Sequence, residues 1–452
     1  MSRPSSPARP SRLNTGFPMK QTVLLIAPSL GFESIFPLGL STIASALMAD
    51  GKVCIGLDER ARPGCLETAL AGVDPDSRPM AAVIEASPRN VNQALDAAAR
   101  CAAADIPAIF VGPAAATDAR AMMDSSCAFA AVTGDPETVL LRLLDELANP
   151  VGAEIPGARF RIAGGVLTDS PPVFDMDPAG LVYDRTVFPV SDYCDHPRHP
   201  EFRQAAIETS RGCTLDCTFC PVPCRYERKW RGRPIAAIVQ EMSGLHRDYG
   251  ITDFVIEDDQ PLADIERFQT LMKAIRTALP GISMAFSNGL RPELLNISTL
   301  QLMAAAGTRD ISLGIESGSS KVRASLNRPI STDQVQGIIT EAHRLKMVVT
   351  GYFMLGLPGE TVPQMLETIM MANRFRFDYV HFMVYHPWHV TTGPASLAFN
   401  HVRTAAYLGS YCNPMRLAGL ARSGHISPGR ARADASRLIE WIMAGRTGGG
   451  TW

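Results

Sequence analysis

The sequence predicts an α/β chain of two units. The first is a doubly wound, Rossmann-like sheet, and the second is a partial (β/α)6 barrel followed by a short helical C-terminus. Three observations predict this. Continuously apolar runs of strand length alternate with helix-length runs over residues 21–148, as in a parallel sheet covered on both faces. The same alternation resumes at residue 205, after a stretch rich in Pro, Gly and Asp. The second series holds six strand candidates, too few to close an eight-strand barrel.

Length and composition agree. The chain has 452 residues, enough for two domains, and 46% of them are hydrophobic, enough for a core in each. A net charge of -2 implies no general attraction to nucleic acid or to an anionic membrane. No apolar run is long enough to span a bilayer. Residues 1–20, rich in Ser, Pro and Arg, read as a disordered leader without the apolar region of a signal peptide.

In the first unit, residues 21–148, Gln21–Ser29 is a buried-strand pattern and Pro37–Gly51 a helix with a glycine stop. Further strands are expected at Val53–Asp58, Ala81–Ser87, Ala108–Gly112 and Ala128–Thr133, with helices at Asn90–Ala104 and Thr138–Ala148. Doubly wound sheets bind ligands beyond the carboxyl ends of their strands. Those ends carry Pro28, Ser29, Ser87, Pro88, Gly112, Pro113 and Gly134. Residues 149–204 read as an inter-domain linker.

The barrel, residues 205–390, is expected to use strands at Ala205–Thr209, Phe254–Glu257, Met284–Asn288, Ile311–Ile315, Val348–Leu355 and Tyr379–Tyr385. The helix pattern at Ala263–Leu279 puts Ile265, Phe268, Leu271, Met272, Ile275 and Leu279 on one face. Thr332–Lys346 and Val362–Phe375 behave alike. In residues 391–452, helices are expected at about His401–Cys412 and Pro428–Met443.

Ten cysteines are present, six scattered and four crowded between Cys213 and Cys224. Scattered cysteines do not suggest a disulfide framework. The expectation is a cytoplasmic protein with reduced thiols and one metal-type cluster. Cys213, Cys217 and Cys220 have the spacing C-x3-C-x2-C directly after the first barrel strand. Three thiolates on one loop can hold three irons of a [4Fe–4S] cubane and leave the fourth open to a further ligand. The alternative is a zinc knot closed by Cys224, although structural zinc sites usually use two separated pairs. Cys224 reads either as a packed thiol or as a catalytic, substrate-side thiol. His386, Trp388 and His389 follow the last strand and read as packing or as substrate contacts.

The cysteine loop resembles the radical S-adenosylmethionine (SAM) superfamily, whose signature is this spacing with an aromatic residue before the last cysteine, here Phe219. The resemblance implies that SAM chelates the open iron and is cleaved reductively to methionine and a 5′-deoxyadenosyl radical. Phe254–Gln260 is similar to the family's second-strand segment and implies SAM contacts from Asp258 and Asp259. Read alone, that acidic pair is a solvated strand end. Ile311–Gly318 and Gly351–Thr361 are similar to later strand segments and imply contacts from Glu316, Ser317 and Gly356. These segments become specific together, in this order and at barrel spacing.

A doubly wound domain before such a barrel resembles the cobalamin-binding class of the superfamily. The similar segments include Phe110–Pro113 and Ala131–Leu144. The resemblance implies cobalamin over Pro28, Ser29, Gly112, Pro113 and Gly134. One departure matters. No histidine precedes His196, so no His of this domain can ligate cobalt. The alternative is a Rossmann-like domain retained for substrate or subunit contacts.

The function implied is a cobalamin-dependent methyltransferase acting on an unactivated carbon, or phosphorus, of a small molecule. Its expected partners are that substrate and an electron donor such as flavodoxin or ferredoxin, with no nucleic acid and no membrane. Two alternatives stand beside it. One is an oxidative cyclase or rearrangement enzyme of the anaerobic magnesium-protoporphyrin ester cyclase type. The other is a corrinoid- or metal-binding sensor without catalysis.

Overall fold

The computed structural model describes residues 21–29, 36–74, 78–124, 126, 128–162, 165, 168, 170–195, 203–385, 395–411 and 416, without the side chains of 223, 224 and 395–400. The expected leader, the residues His386, Trp388 and His389, and the expected helix at Pro428–Met443 lie outside the described residues. The chain divides into two compact units, Met1–Tyr193 and Cys194–Trp452.

The first unit is built on β1 (Thr22–Ala27), α1 (Leu38–Ala49), β2 (Val53–Asp58), α2 (Cys65–Ala71), β3 (Ala81–Glu85), α3 (Val91–Ala103), β4 (Ala108–Val111), α4 (Pro113–Asp124), β5 (Ala130–Val132), α5 (Pro136–Ala148) and β6 (Ala158–Phe160). Its sheet runs β2-β1-β3-β4-β5-β6, parallel throughout except for β6, which pairs antiparallel to β5. The order reverses at β1, flanked by β2 and β3, and this is the switch point of a doubly wound sheet.

Strands β1, β3 and β4 are apolar on both faces because helices cover both. Leu24, Ile26, Ala82, Ile84, Ala108 and Phe110 join Leu66, Ala94, Ala98, Cys101 and Met123 of α2, α3 and α4 in one core. The alternate residues Val23, Leu25, Val83 and Ile109 are also buried, and α1 and α5 pack against each other. Burying side chains of this size stabilises by roughly 1.5–3 kcal/mol each.

The expected linker is largely part of this unit. Residues 158–160 form the edge strand β6. Phe188 and Tyr193 pack edge-on against Phe36. Gly56 lies so close to this segment that a Cβ would meet the Val187 carbonyl oxygen at 2.5 Å. The Tyr193 hydroxyl donates to Asp58 at 2.8 Å. These contacts join residues far apart in sequence, so periodicity does not reveal them.

The second unit contains β7 (Gln204–Ile207), β8 (Ser210–Gly212), α6 (Val222–Arg225), β9 (Trp230–Gly232), α7 (Ile235–Tyr249), β10 (Asp253–Ile256), α8 (Ile265–Ala278), β11 (Ser283–Leu290), α9 (Ile297–Ala305), β12 (Thr308–Glu316), α10 (Ser320–Ser325), α11 (Thr332–Arg344), β13 (Val348–Leu355), α12 (Val362–Arg374), β14 (Tyr379–Val384) and α13 (Ala395–Tyr411). Its main sheet is β14-β13-β12-β11-β10-β7, in sequence order and all parallel, with β7 and β14 at its two ends. That is the wall of an open six-strand barrel.

Alternation along the strands separates the two sides of the wall. On β14, Val380, Phe382 and Val384 are buried, while Tyr379, His381 and Met383 are half-buried. Phe382 stacks on Phe353 and meets Tyr407 of α13 edge-on. The main addition to the expected elements is β8–β9, a short antiparallel ribbon that frames the cysteine loop. Among the described residues no helix is long and apolar enough to cross a membrane.

Candidate functional site

The cysteines leave the sheet through a turn that only glycine can make. β7 ends at Ile207, β8 follows at once, and Gly212 closes it at φ 90° immediately before Cys213. A Cβ on Gly212 would lie 2.2 Å from the Lys229 carbonyl oxygen on the returning side of the ribbon.

The ribbon is pinned to the end of β10 by the two aspartates that the sequence singles out. Asp258 accepts from the Thr209 amide, the Thr209 hydroxyl and the Ser210 hydroxyl, each at 2.5 Å. Asp259 accepts from the Gly212 amide at 3.0 Å. Burial raises both carboxyl groups, Asp258 to about 7 against the pull of its hydroxyl and amide donors. The side-chain hydrogen bonds of these aspartates are therefore with the residues that lead into the cysteine loop. A shallow cleft beside them is also lined by Ile256, Phe286, Asn288 and Leu290.

Cys213, Cys217 and Cys220 are free thiols on this loop. Burial pushes the Cys213 thiol up and the Cys220 thiol up to about 12, and the neighbouring cysteines add to both shifts. Cys213 and Cys220 take backbone N–H bonds from Leu215 and Val222. Arg291 Nη1 donates to Cys217 Sγ at 3.2 Å. Among the described residues no three His, Cys, Asp or Glu side chains are gathered tightly enough to cage a single metal ion. A four-iron cubane holds its thiolates farther apart than a single ion does. Three soft donors on one loop, within reach of one another's charge, fit such a cluster, which binds them as thiolates. Cys224 lies on α6, and its side chain is outside the described residues.

The turn after β12 and the end of α10 close over the same loop. Glu316 ends β12 in the left-handed region, φ 67°, with its carboxylate 3.0 Å from Arg328. Burial raises the Glu316 carboxyl group, and Arg328 opposes the shift. The side-chain amide Nδ2 of Asn327 donates to the Asp216 carbonyl at 3.1 Å, and the Thr218 hydroxyl donates to the Ser325 carbonyl at 3.4 Å. Phe219 packs on Val322, Leu326, Met354 and Leu357, with Met383 and Tyr385 alongside. An apolar patch thus lies beside the thiols at the carboxyl ends of β12, β13 and β14.

Ser317 is fully buried, and its hydroxyl engages Thr368 at 3.1 Å and Glu360 at 3.4 Å. Glu360 also accepts from the amides of Gly356 and Leu357, at 2.8 and 3.1 Å. Ser317 and Gly356 are therefore joined through Glu360, a residue the sequence reading passed over. The signal was present in the order G-L-P-G-E, a turn followed by an acceptor. Arg291, Asn327 and Arg328 were also missed, because nothing in their spacing marks them as neighbours of the cysteines.

In the first unit, Pro28 and Ser29 follow β1 at the switch point, and Gly112 and Pro113 follow β4. Gly112 takes φ 94°, and a Cβ there would meet the Ala86 carbonyl oxygen at 2.9 Å. Ala86 and Ser87 follow β3, which lies between β1 and β4 in the sheet order; Ser29, Ser87, Gly112 and Pro113 are half-buried, whereas Pro28 and Ala86 are buried. Gly134 is placed differently. Val173 lies over it, with its carbonyl 2.3 Å from where a Cβ would stand, and that carbonyl accepts from Asp135 N. The end of β5 is thus covered by the chain itself.

Two α/β units, the second an open barrel with three thiols on the loop after its first strand, define the scaffold of a cluster-binding enzyme. Residues 207–372, most of the barrel, match the radical SAM superfamily. The chain is 24% identical to the "Uncharacterized methyltransferase PH0819" of Pyrococcus horikoshii, over 78% of this chain and 76% of that one. It is 30% identical to the cytidylyl-2-hydroxyethylphosphonate methyltransferase of Streptomyces wedmorensis, over 41% of this chain and 36% of that one. The solved structure of TsrM from Kitasatospora setae, a radical SAM methyltransferase with cobalamin and a [4Fe-4S] cluster bound, aligns with a TM-score of 0.68 and 18% identity. The alignment covers 80% of this chain and 75% of TsrM, which establishes the likeness of fold.

Proposed function

We propose that this chain is a cobalamin-dependent radical SAM methyltransferase that modifies an unactivated carbon, or phosphorus, of a small molecule. The observation that carries the reading is the position of the three thiols. They sit on the loop after the first strand of the open barrel, under the turn that presents Glu316, in a chain that also has a doubly wound N-terminal unit. The methyltransferases it resembles support the choice of methyl transfer.

In this reading Cys213, Cys217 and Cys220 hold the [4Fe–4S] cluster. Asp258 and Asp259 keep the loop on β10, and Glu316 faces the amino group of SAM. Glu360 aligns the Ser317 and Gly356 turns against which SAM lies, and Phe219 gives its adenosyl part an apolar wall. Pro28, Ser29, Gly112 and Pro113 form the floor for cobalamin, which takes no histidine from this unit. The bound cofactors supply the hard chemistry: an electron to cleave SAM from the cluster, and the methyl group from the corrinoid. The chain's own part is to hold these groups in register and to keep water from the apolar patch. A small-molecule substrate and a one-electron donor of the flavodoxin or ferredoxin type complete the set.

The test is anaerobic reconstitution of the full chain with iron and sulfide, then incubation with SAM, hydroxocobalamin and a low-potential reductant. Micromolar corrinoid binding and a product heavier by one methylene unit are expected. Failure to bind corrinoid sinks the cobalamin assignment. A product that has lost hydrogens, or gained oxygen, points to an oxidative cyclase instead. Absence of SAM cleavage points to a sensor.

A further inference from the structure

Two buried arginines converge on one of the three thiols. Arg291 follows β11 and directs Nη1 to Cys217 Sγ at 3.2 Å, while its Nη2 donates to the Asn327 carbonyl at 3.3 Å and to Glu293. Arg328 lies behind the same sulfur, near enough for their charges to interact. Its Nη2 reaches the Gly314 carbonyl at 2.5 Å and its Nη1 reaches Glu316 at 3.0 Å. Glu293 bridges the pair, with Arg328 Nε 3.1 Å from its carboxylate and Arg291 on the same oxygen. Arg291 is 6% exposed and Arg328 3%.

Each arginine already has a carboxylate partner, so charge balance alone does not require Arg291 to turn a nitrogen to this sulfur. Cys213 and Cys220 receive backbone amides instead. The guanidinium geometry explains why the residue is arginine. One planar fork can serve a carboxylate, a carbonyl and a sulfur at once, which a lysine ammonium cannot do from the same place.

We propose that Arg291, seconded by Arg328, is a positioning residue that raises the reduction potential of the cluster through Cys217. The inference rests on the cluster reading above. In the step concerned, one electron passes from an external low-potential donor to the cluster, with no proton taken up and no bond broken. The thiolate-bound cluster gains one negative charge. A hydrogen bond from a charged donor to a ligating sulfur stabilises the more negative state, so it makes this reduction easier.

The experiment uses the full chain as wild type, Arg291→Met and Arg291→Lys, each reconstituted anaerobically. Glu293 keeps Arg328 as its partner in both variants. Iron and sulfide per chain are counted, and the midpoint potential is measured without SAM by redox titration followed by electron paramagnetic resonance. Equal cluster loading is expected in all three. For Arg291→Met the reduction equilibrium falls at least tenfold, a midpoint lower by about 59 mV for one electron. Arg291→Lys falls between it and wild type. A loaded Arg291→Met chain with the wild-type midpoint overturns the proposal. Loss of the cluster from both variants also overturns it, because Arg291 is then a structural tie. Failure of the wild-type chain to take up a cluster overturns the cluster reading itself, and that outcome is distinct from an unchanged midpoint.

Discussion

Gly212 turns its backbone onto the carbonyl oxygen of Lys229, with no space between them for a side chain. Its φ of 90° is also one that L-residues rarely adopt. Both facts lie one residue before the first thiol. Gly212→Ala is therefore expected to spread the β8–β9 ribbon and displace Cys213. After reconstitution the variant should hold well under half the wild-type iron per chain, while far-ultraviolet circular dichroism stays close to wild type. Full iron in the variant would show that the loop tolerates a different turn.

The assignment of ligands predicts an asymmetry among four neighbouring cysteines. Cys213→Ala, Cys217→Ala and Cys220→Ala should each lose the cluster. Cys224→Ala should keep it, since three thiolates suffice for a cubane with one open iron. Iron and sulfide analysis with optical spectra decides this. Loss of metal from Cys224→Ala, with one zinc bound per wild-type chain, would instead mean a closed zinc knot.

Asp258 predicts a pH dependence. Its folded value, about 7, lies above the ordinary carboxylate value because the group is fully buried. A group raised in this way contributes stability that is fully present below about pH 4. That stability is lost as pH rises through 7, because the unfolded chain ionises first. The upper bound for a shift of this size is roughly 4 kcal/mol. In the cluster-free chain, Asp258→Asn should remove this fall between about pH 4 and 7. All four tryptophans lie beyond residue 193, so denaturant unfolding followed by tryptophan fluorescence reports on the second unit. Parallel pH profiles for the two chains would refute the expectation.

Glu360 predicts a binding defect. Its carboxylate holds two backbone amides, of Gly356 and Leu357, and meets the Ser317 hydroxyl. Glu360→Ala should weaken SAM binding by about tenfold, near the cost of losing one or two such hydrogen bonds. Glu360→Gln keeps an acceptor and should lose less. Calorimetric titration of the loaded chain with SAM measures both. An unchanged dissociation constant for Glu360→Ala would remove these turns from the SAM site.

Much of the fold and part of the candidate site were legible in the sequence. Apolar runs such as Thr22–Ala27 and Val348–Leu355 declare buried parallel strands because both faces are covered. The cluster proposed at the three cysteines could be read from sequence because thiolate spacing on one loop is local chemistry. Helices α2 and α4 were passed over. α2 is only seven residues long, and α4 contains a kink at Asp118.

Other features were settled only by tertiary structure. The stretch expected as a linker supplies the edge strand β6 and covers Gly134, the ligand contact expected after β5. Asp258 and Ser317, expected to face SAM, have their described contacts with Thr209, Ser210, Thr368 and Glu360. The arginines behind Cys217 come from positions 74 residues and more away in sequence. The physical reason is the same in each case. Periodicity and spacing encode what one strand, helix or loop does with its own residues. The partner of a buried polar group is chosen by whichever distant segment the fold brings beside it, and that choice leaves no local trace.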